Sequence, residues 1–363
     1  MSIAMVHAKK FGRRDYAFMC ARARSMMASL LPVRDLRQIE SYTSLSQIVD
    51  FLMDSDYAPV LGRYLKDGQS VNEVERGINA YFFNQVDRMA SGFKYTIAQL
   101  GPIILSQWEC HNTKVVLRAV MREGHARSAG QALAPIGSFA KISRNDLDAV
   151  CSVADVCALL LAHNIKTADH LQKGLEIYKS NNDPLVIERE IDKHYYESMQ
   201  SGSPLLTNSR DSRILKPLVQ FLIDIANIRM ATRFINQRVP EELAQALYVP
   251  GGTLDYRRFL ALMQADAIEA LYDALKGHPV EPGLQDGMFA FITQKNPSIF
   301  ERRFDKIEIT YKKKLALIHP LSFATPLYFL ILARNQMINL RVLVRGIAFQ
   351  IPLGRLREEL IYV

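Results

Sequence analysis

Three asparagines open the pattern in this sequence that is best placed to do chemistry. Asn112, Asn227 and Asn339 each begin N-x-[KR]-x-x-x-R, completed by Lys114 and Arg118, by Arg229 and Arg233, and by Arg341 and Arg345. Three residues before each asparagine stands a second polar group: Glu109, Asp224 or Gln336. An acid beside an amide can serve acid–base catalysis or a buried hydrogen-bond network, and a repeated pair of bases can serve carboxylate recognition. Helical spacing separates these uses. At about 100° per residue, each asparagine shares a face with positions +3, +4, +7 and +8. In the first copy these are Val115, Val116, Ala119 and Val120; in the second, Met230, Ala231, Phe234 and Ile235; in the third, Val342, Leu343, Gly346 and Ile347. The asparagine and the polar group one turn before it therefore lie on an apolar face. A buried polar group without a partner costs about 1–3 kcal/mol, so structural polar pairs that fix helix register are expected here rather than a catalytic site. The bases at +2 and +6 fall on the opposite face, where like charges four residues apart repel by roughly 0.2–0.5 kcal/mol per pair. Keeping that arrangement three times implies carboxylates packed nearby or a surface offered to an acidic partner.

The elements that position these residues recur with them. The asparagines are 115 and 112 residues apart and divide the chain into near thirds. Pro102 and Pro217 stand ten residues before the first two, and Pro326 thirteen before the third; proline is accepted in a first helical turn, so each copy is read as a helix starting near its proline. Pro135-Ile136-Gly137, Pro250-Gly251-Gly252 and Pro352-Leu353-Gly354 follow as P-x-G, at 23, 23 and 13 residues after the asparagine. Further helical periodicity runs through 42–61, 147–161 and 254–275, with no sustained alternation of period two. An all-α protein follows, built from three pseudo-threefold-related helical bundles over residues 1–124, 125–238 and 239–363, with the six bases recurring around the axis.

Composition narrows the function class. The chain has 363 residues and 45 Lys+Arg against 37 Asp+Glu, a net charge of +8. A basic balance raises the alternative of a helical nucleic-acid-binding protein, but the bases are scattered in small clusters such as Lys9-Lys10 and Lys312-Lys313-Lys314. Cys20, Cys110, Cys151 and Cys157 form no CxxC pair, which argues against a disulfide framework or zinc site; Cys151 and Cys157 are placed on one helix as packed thiols. His163, His170 and His194 do not reproduce a metal spacing, and neither a phosphate-binding loop nor G-x-S-x-G occurs, so no catalytic, cofactor or metal residue is expected. Residues 315–333 lack Asp, Glu, Lys and Arg, yet Pro320 and Pro326 interrupt them. A turn followed by a buried helix is expected there, without a membrane span.

Two stretches carry a resemblance. Tyr16 to Met26, with Leu30-Leu31 after it, resembles the N-terminal signature of the C subunit of A/V-type ATPases, known in eukaryotic vacuolar enzymes as the d subunit. Pro326 to Gly346 is similar to that family's most specific motif. Ala23 and Gln336 depart from it, where the family usually has valine and an acidic residue. The resemblance implies a non-catalytic rotor adaptor without cofactor. It would be a funnel of three helical bundles on the cytoplasmic side of the membrane, peripheral through its complex and present in one copy. It would couple the central stalk to the membrane rotor ring for ATP-linked proton or sodium transport. Arg22 and Arg24, with the six repeated bases, are the interface residues this reading nominates.

Overall fold

The computed structural model describes residues 13–65, 69–94, 98, 100–201, 212–285 and 297–363, so the pair Lys9-Lys10 lies outside the described residues. These residues are helical, and no strand occurs among them. Eight long helices organise the fold: α1 (Arg13–Ala28), α2 (Val71–Ser91), α3 (Leu100–Glu123), α4 (Thr167–Asn181), α5 (Pro184–Ser201), α6 (Ser212–Thr232), α7 (Pro297–Ile318) and α8 (Ala324–Ala348). The asparagines sit on α3, α6 and α8. Pro102 and Pro326 occupy the third residue of their helices, where the missing amide costs nothing. Pro217 differs: α6 begins at Ser212, five residues ahead of it, and the exposed ring sits inside the helix. Helix α2 starts at a Ser70–Glu73 capping box, in which each side chain accepts the other's backbone amide.

Six of these helices close a ring. In order, α8 packs on α2, α2 on α3, α3 on α5, α5 on α6, α6 on α7, and α7 returns to α8. Every asparagine helix therefore alternates with a helix from the α2, α5, α7 set. Helix α1 packs outside on α8 and α4 outside on α5. The expected core faces are buried or half-buried in all three copies, but the buried surface is wider than one stripe. Thr113, Leu117, Ile228, Leu340 and Val344 are buried too, because a ring helix touches neighbours on two flanks.

The shorter periodic stretches are each split. Residues 147–161 form parts of Arg144–Asp148 and Val153–Ala162 around a break at Ser152, whose side chain caps the second helix. That break corrects the placement of Cys151: it is exposed and precedes the helix, whereas Cys157 is buried within it. Residues 319–323 turn between α7 and α8. By length and composition α8 is long and apolar enough to cross a membrane, but 61% of its most apolar window is buried inside the protein.

Candidate functional site

The asparagines perform one operation three times. Asn112 donates from Nδ2 to the Ala134 carbonyl (2.9 Å) and accepts at Oδ1 from the Ala134 amide (2.8 Å). Asn227 does the same to Val249, at 2.8 and 3.1 Å. Asn339 does it to Ile361, at 2.8 and 3.2 Å. All three are fully buried, and in every case the clasped residue lies 22 positions on. A side-chain amide matches a backbone peptide donor for acceptor, so the clamp satisfies both partners in a dry interior. This register also corrects the third P-x-G. Ile361, not a residue near Pro352, is the counterpart of Ala134 and Val249, so Pro352-Leu353-Gly354 is unrelated to the other two.

The polar group one turn earlier does not bond to the asparagine as the expected pair would, but reaches elsewhere. Asp224 accepts backbone amides from Thr253 (3.1 Å) and Leu254 (3.0 Å), the Thr253 hydroxyl (2.6 Å), and contacts His278 at 3.2 Å. Gly252 must be glycine here, because a Cβ would come within 2.1 Å of the Asp224 carboxylate. Gln336 accepts the Leu31 amide and donates to the Tyr57 hydroxyl, both at 2.8 Å. Glu109 makes no hydrogen bond through its carboxylate among the described residues, and burial raises its pKa.

The six repeated bases all face carboxylates on the next helix of the ring. Lys114 meets Asp192 at 2.5 Å and Arg118 forks onto Glu188. Arg229 reaches Asp305 at 2.9 Å and Glu301 at 3.5 Å; Arg233 reaches Glu301 at 3.7 Å. Arg345 forks onto Glu75, and Arg341 lies 3.7 Å from the same carboxylate. The side away from the core is thus a seam between copies, with the +2 base half-buried and the +6 base exposed at the rim. Arg22 and Arg24 are not brought to these seams. They donate to the Arg88 carbonyl (2.9 Å) and the Pro320 carbonyl (3.0 Å).

The seams expose a second repeat that sequence reading missed. Glu75-Arg76-x-x-Asn79, Glu188-Arg189-x-x-Asp192 and Glu301-Arg302-x-x-Asp305 recur at intervals of 113 residues on α2, α5 and α7. That interval was the available signal. In two copies the motif arginine supports the clamp within its own unit. Arg189 donates to Asn227 Oδ1 (2.5 Å) and the Leu247 carbonyl (2.7 Å). Arg302 donates to Asn339 Oδ1 (3.2 Å) and the Glu359 carbonyl (2.9 Å), again two residues before the clasped one. Arg76 instead lies over the Tyr64 ring at 5.4 Å. Asn79 replaces the second acid, and at that α8–α2 seam Arg341 Nε and Asn79 Oδ1 are buried without hydrogen-bond partners. Restoring the acid with Asn79→Asp is expected to stabilise the fold by about 0.5–1 kcal/mol, seen as a higher thermal midpoint. An unchanged or lower midpoint would mean that Arg341 does not reach position 79.

Inside the ring lies a cavity of about 320 Å³, shared by α3, α5, α6, α7 and α8 and continuous in its lining with a smaller one that α2 joins. Equivalent positions of the three copies converge on it: Gln107, Leu222 and Arg334 from the asparagine helices, Phe82, Tyr195 and Glu308 from the others. The third copy supplies both charges. Burial opposes ionisation of Glu308, yet Lys312 and Arg334 hold its carboxyl below the usual range. Among the described residues no cluster of three or more His, Cys, Asp or Glu is arranged to hold a metal ion.

Comparison with known proteins follows the same span. A family model described as ATP synthase (C/AC39) subunit matches residues 19–359. The A-type ATP synthase C subunit of Methanocaldococcus jannaschii is 22% identical over 332 residues, covering 91% of this chain and 82% of that protein. The protein of the same name from Halorubrum lacusprofundi is 23% identical over 361 residues, covering 96% and 98%. That of Pyrococcus horikoshii is 23% identical over 353 residues, covering 94% and 89%.

Proposed function

Because this chain belongs to the ATP synthase (C/AC39) subunit family, a non-catalytic part of a rotary ATPase, we propose that it is the adaptor between central stalk and membrane rotor ring. The observation that carries this reading is the closed ring of six helices around a charged hub. A part that transmits torque must resist shear between its segments. Each seam here is closed by side chains of opposite charge, and each asparagine helix is tied by a buried amide clamp to the chain 22 residues on. The hub, with Arg334 and Glu308 at its wall and Trp108 held edge-on by Phe82 and Phe83 (5.3 and 5.0 Å), is the socket that would receive the stalk. Polar contacts tolerate imperfect register, which suits a threefold socket meeting a ring of different symmetry.

The three units are proposed as products of triplication over residues 1–124, 125–238 and 239–363, arranged as a funnel and present once per complex. Each clamp reaches from its asparagine into the residues that follow, to 134, 249 and 361. Arg118, Arg233 and Arg345 at the rim, with Arg24, keep the exposure that an interface role needs, while Arg22 and the +2 bases act more from within. Internal pairing keeps the six repeated bases from serving phosphate binding, which draws on uncommitted lysines and arginines, and this weighs against the nucleic-acid alternative that the net charge of +8 raises. Coupling stalk to ring places the chain on the cytoplasmic face of the membrane, in ATP-linked proton or sodium transport. The test is co-purification with the stalk subunits and the ring at low and high salt. Retention with both, weakening as salt rises, is expected. Absence from both at every salt concentration would overturn the reading.

A further inference from the structure

The position three residues before each clamp asparagine has a common task in two of the three copies. In the second, Asp224 accepts the backbone amides of Thr253 and Leu254. In the third, Gln336 accepts the backbone amide of Leu31, which enters an extended Pro32. Both receive the main chain of a non-helical segment, although one segment follows the clamp directly and the other comes from the opposite end of the sequence. In the first copy the segment after the clamp passes beside Glu109 without bonding to it, Gly137 lying so close that a Cβ there would come within 3.6 Å of Glu109 Oε1. Gly137 takes a positive φ of 57° and opens a 3-10 turn, Gly137–Lys141, whose amides do not reach Glu109. The Glu109 carboxylate instead borders a cavity of about 770 Å³ whose wall also holds Ser138, Lys141, Lys166, His194 and Glu197.

We infer that this cavity is a docking site for an extended segment of a partner subunit, which places a backbone N–H on the Glu109 carboxylate and an acidic side chain between Lys141 and Lys166. Main-chain recognition of this kind draws affinity from backbone hydrogen bonds and specificity from flanking side chains. The cavity size lies within the range of built ligand pockets. Lys141 and Lys166 are exposed, so their ammonium groups are available to a carboxylate. The proposal rests on membership of an assembled ATPase, which supplies the partner.

The site and a merely structural role for Glu109 differ in what they predict. Because Glu109 holds no segment of its own chain, Glu109→Ala should leave the thermal midpoint within about 2 °C of the parent, whereas Asp224→Ala should lower it by several degrees. The same Glu109→Ala chain should be retained at least about tenfold less well by the assembled complex. Occupancy is read directly with Ser138→Cys in a Cys151→Ser background, which removes the exposed native thiol. Maleimide should label that cysteine readily in the free chain and at least about tenfold more slowly in the complex. Equal labelling in a complex that has assembled would overturn the inference while leaving the adaptor reading intact. Protection already present in the free chain would overturn it too, by showing that this chain or a second copy fills the cavity. A midpoint loss for Glu109→Ala matching that of Asp224→Ala would reduce Glu109 to a structural role. Failure of the parent chain to assemble would remove the adaptor reading, and this inference with it.

Discussion

Asn227→Ala is expected to destabilise the protein by on the order of 3–5 kcal/mol and to leave little folded chain at 37 °C. Three losses coincide at this one side chain. The Val249 amide and carbonyl each lose their partner in a site with no solvent access. Arg189, itself buried, loses the Asn227 oxygen and keeps the Leu247 carbonyl as its acceptor among the described residues. An uncompensated buried guanidinium is the largest of the three terms, and burial has already lowered its pKa. The equivalent Asn112→Ala removes the clamp but strands no arginine, since Arg76 lies outside. It should therefore cost less, about 2–3 kcal/mol. Urea denaturation of both variants checks the order. Equal losses would mean that the arginine contributes nothing through the clamp.

Asp305→Ala is the second large effect, expected at about 3–5 kcal/mol. Its carboxylate, 10% exposed, accepts from Arg229 (2.9 Å) and Arg302 (2.6 Å) and lies 3.8 Å from Arg334. It therefore ties the α6–α7 seam to the hub. Burial alone would raise its pKa, but Arg334, Arg229 and Arg302 outweigh that and hold it at about 2, below an ordinary value of 3.8. The sign follows: a carboxylate depressed on folding contributes stability that is complete above the unfolded value and disappears as pH falls through the folded one. About 2 kcal/mol should be lost between roughly pH 5 and pH 2. Asp305→Asn, neutral at every pH, should be less stable than the parent at pH 7 and should lack this component of the acid transition. An undiminished transition in the asparagine variant would place the acid sensitivity elsewhere, with Glu301 or Glu308 the neighbouring carboxyls to examine.

Much of this arrangement can be read in the chain before folding, and the unreadable part has a physical reason. Asn112, Asn227 and Asn339 with their bases reveal themselves by side-chain identity at fixed spacing. What they clasp does not, because Ala134, Val249 and Ile361 are held through their backbones and share no side-chain type. The repulsion between Lys114 and Arg118, and between their counterparts, pointed either to nearby carboxylates or to an acidic partner, and the carboxylates turned out to lie within the chain. Locating them required knowing that each asparagine helix packs on the motif helix of the next copy, a relation of ring closure that local periodicity cannot express. Once Glu75, Glu188 and Glu301 are aligned, their 113-residue interval is as regular as that of the asparagines. The irregular positions are equally informative: Asn79, Arg76 and Glu109 break the threefold rule and mark the seam without its second acid, the clamp without its arginine and the acid without a segment to hold.

The adaptor role stands or falls on what enters the hub. A photo-cross-linking amino acid at Gln107, exposed and lining both central cavities, should in the assembled ATPase form its principal adduct with a protein of the central stalk. An adduct with the ring alone, or none in a complex shown to be intact, would contradict the socket.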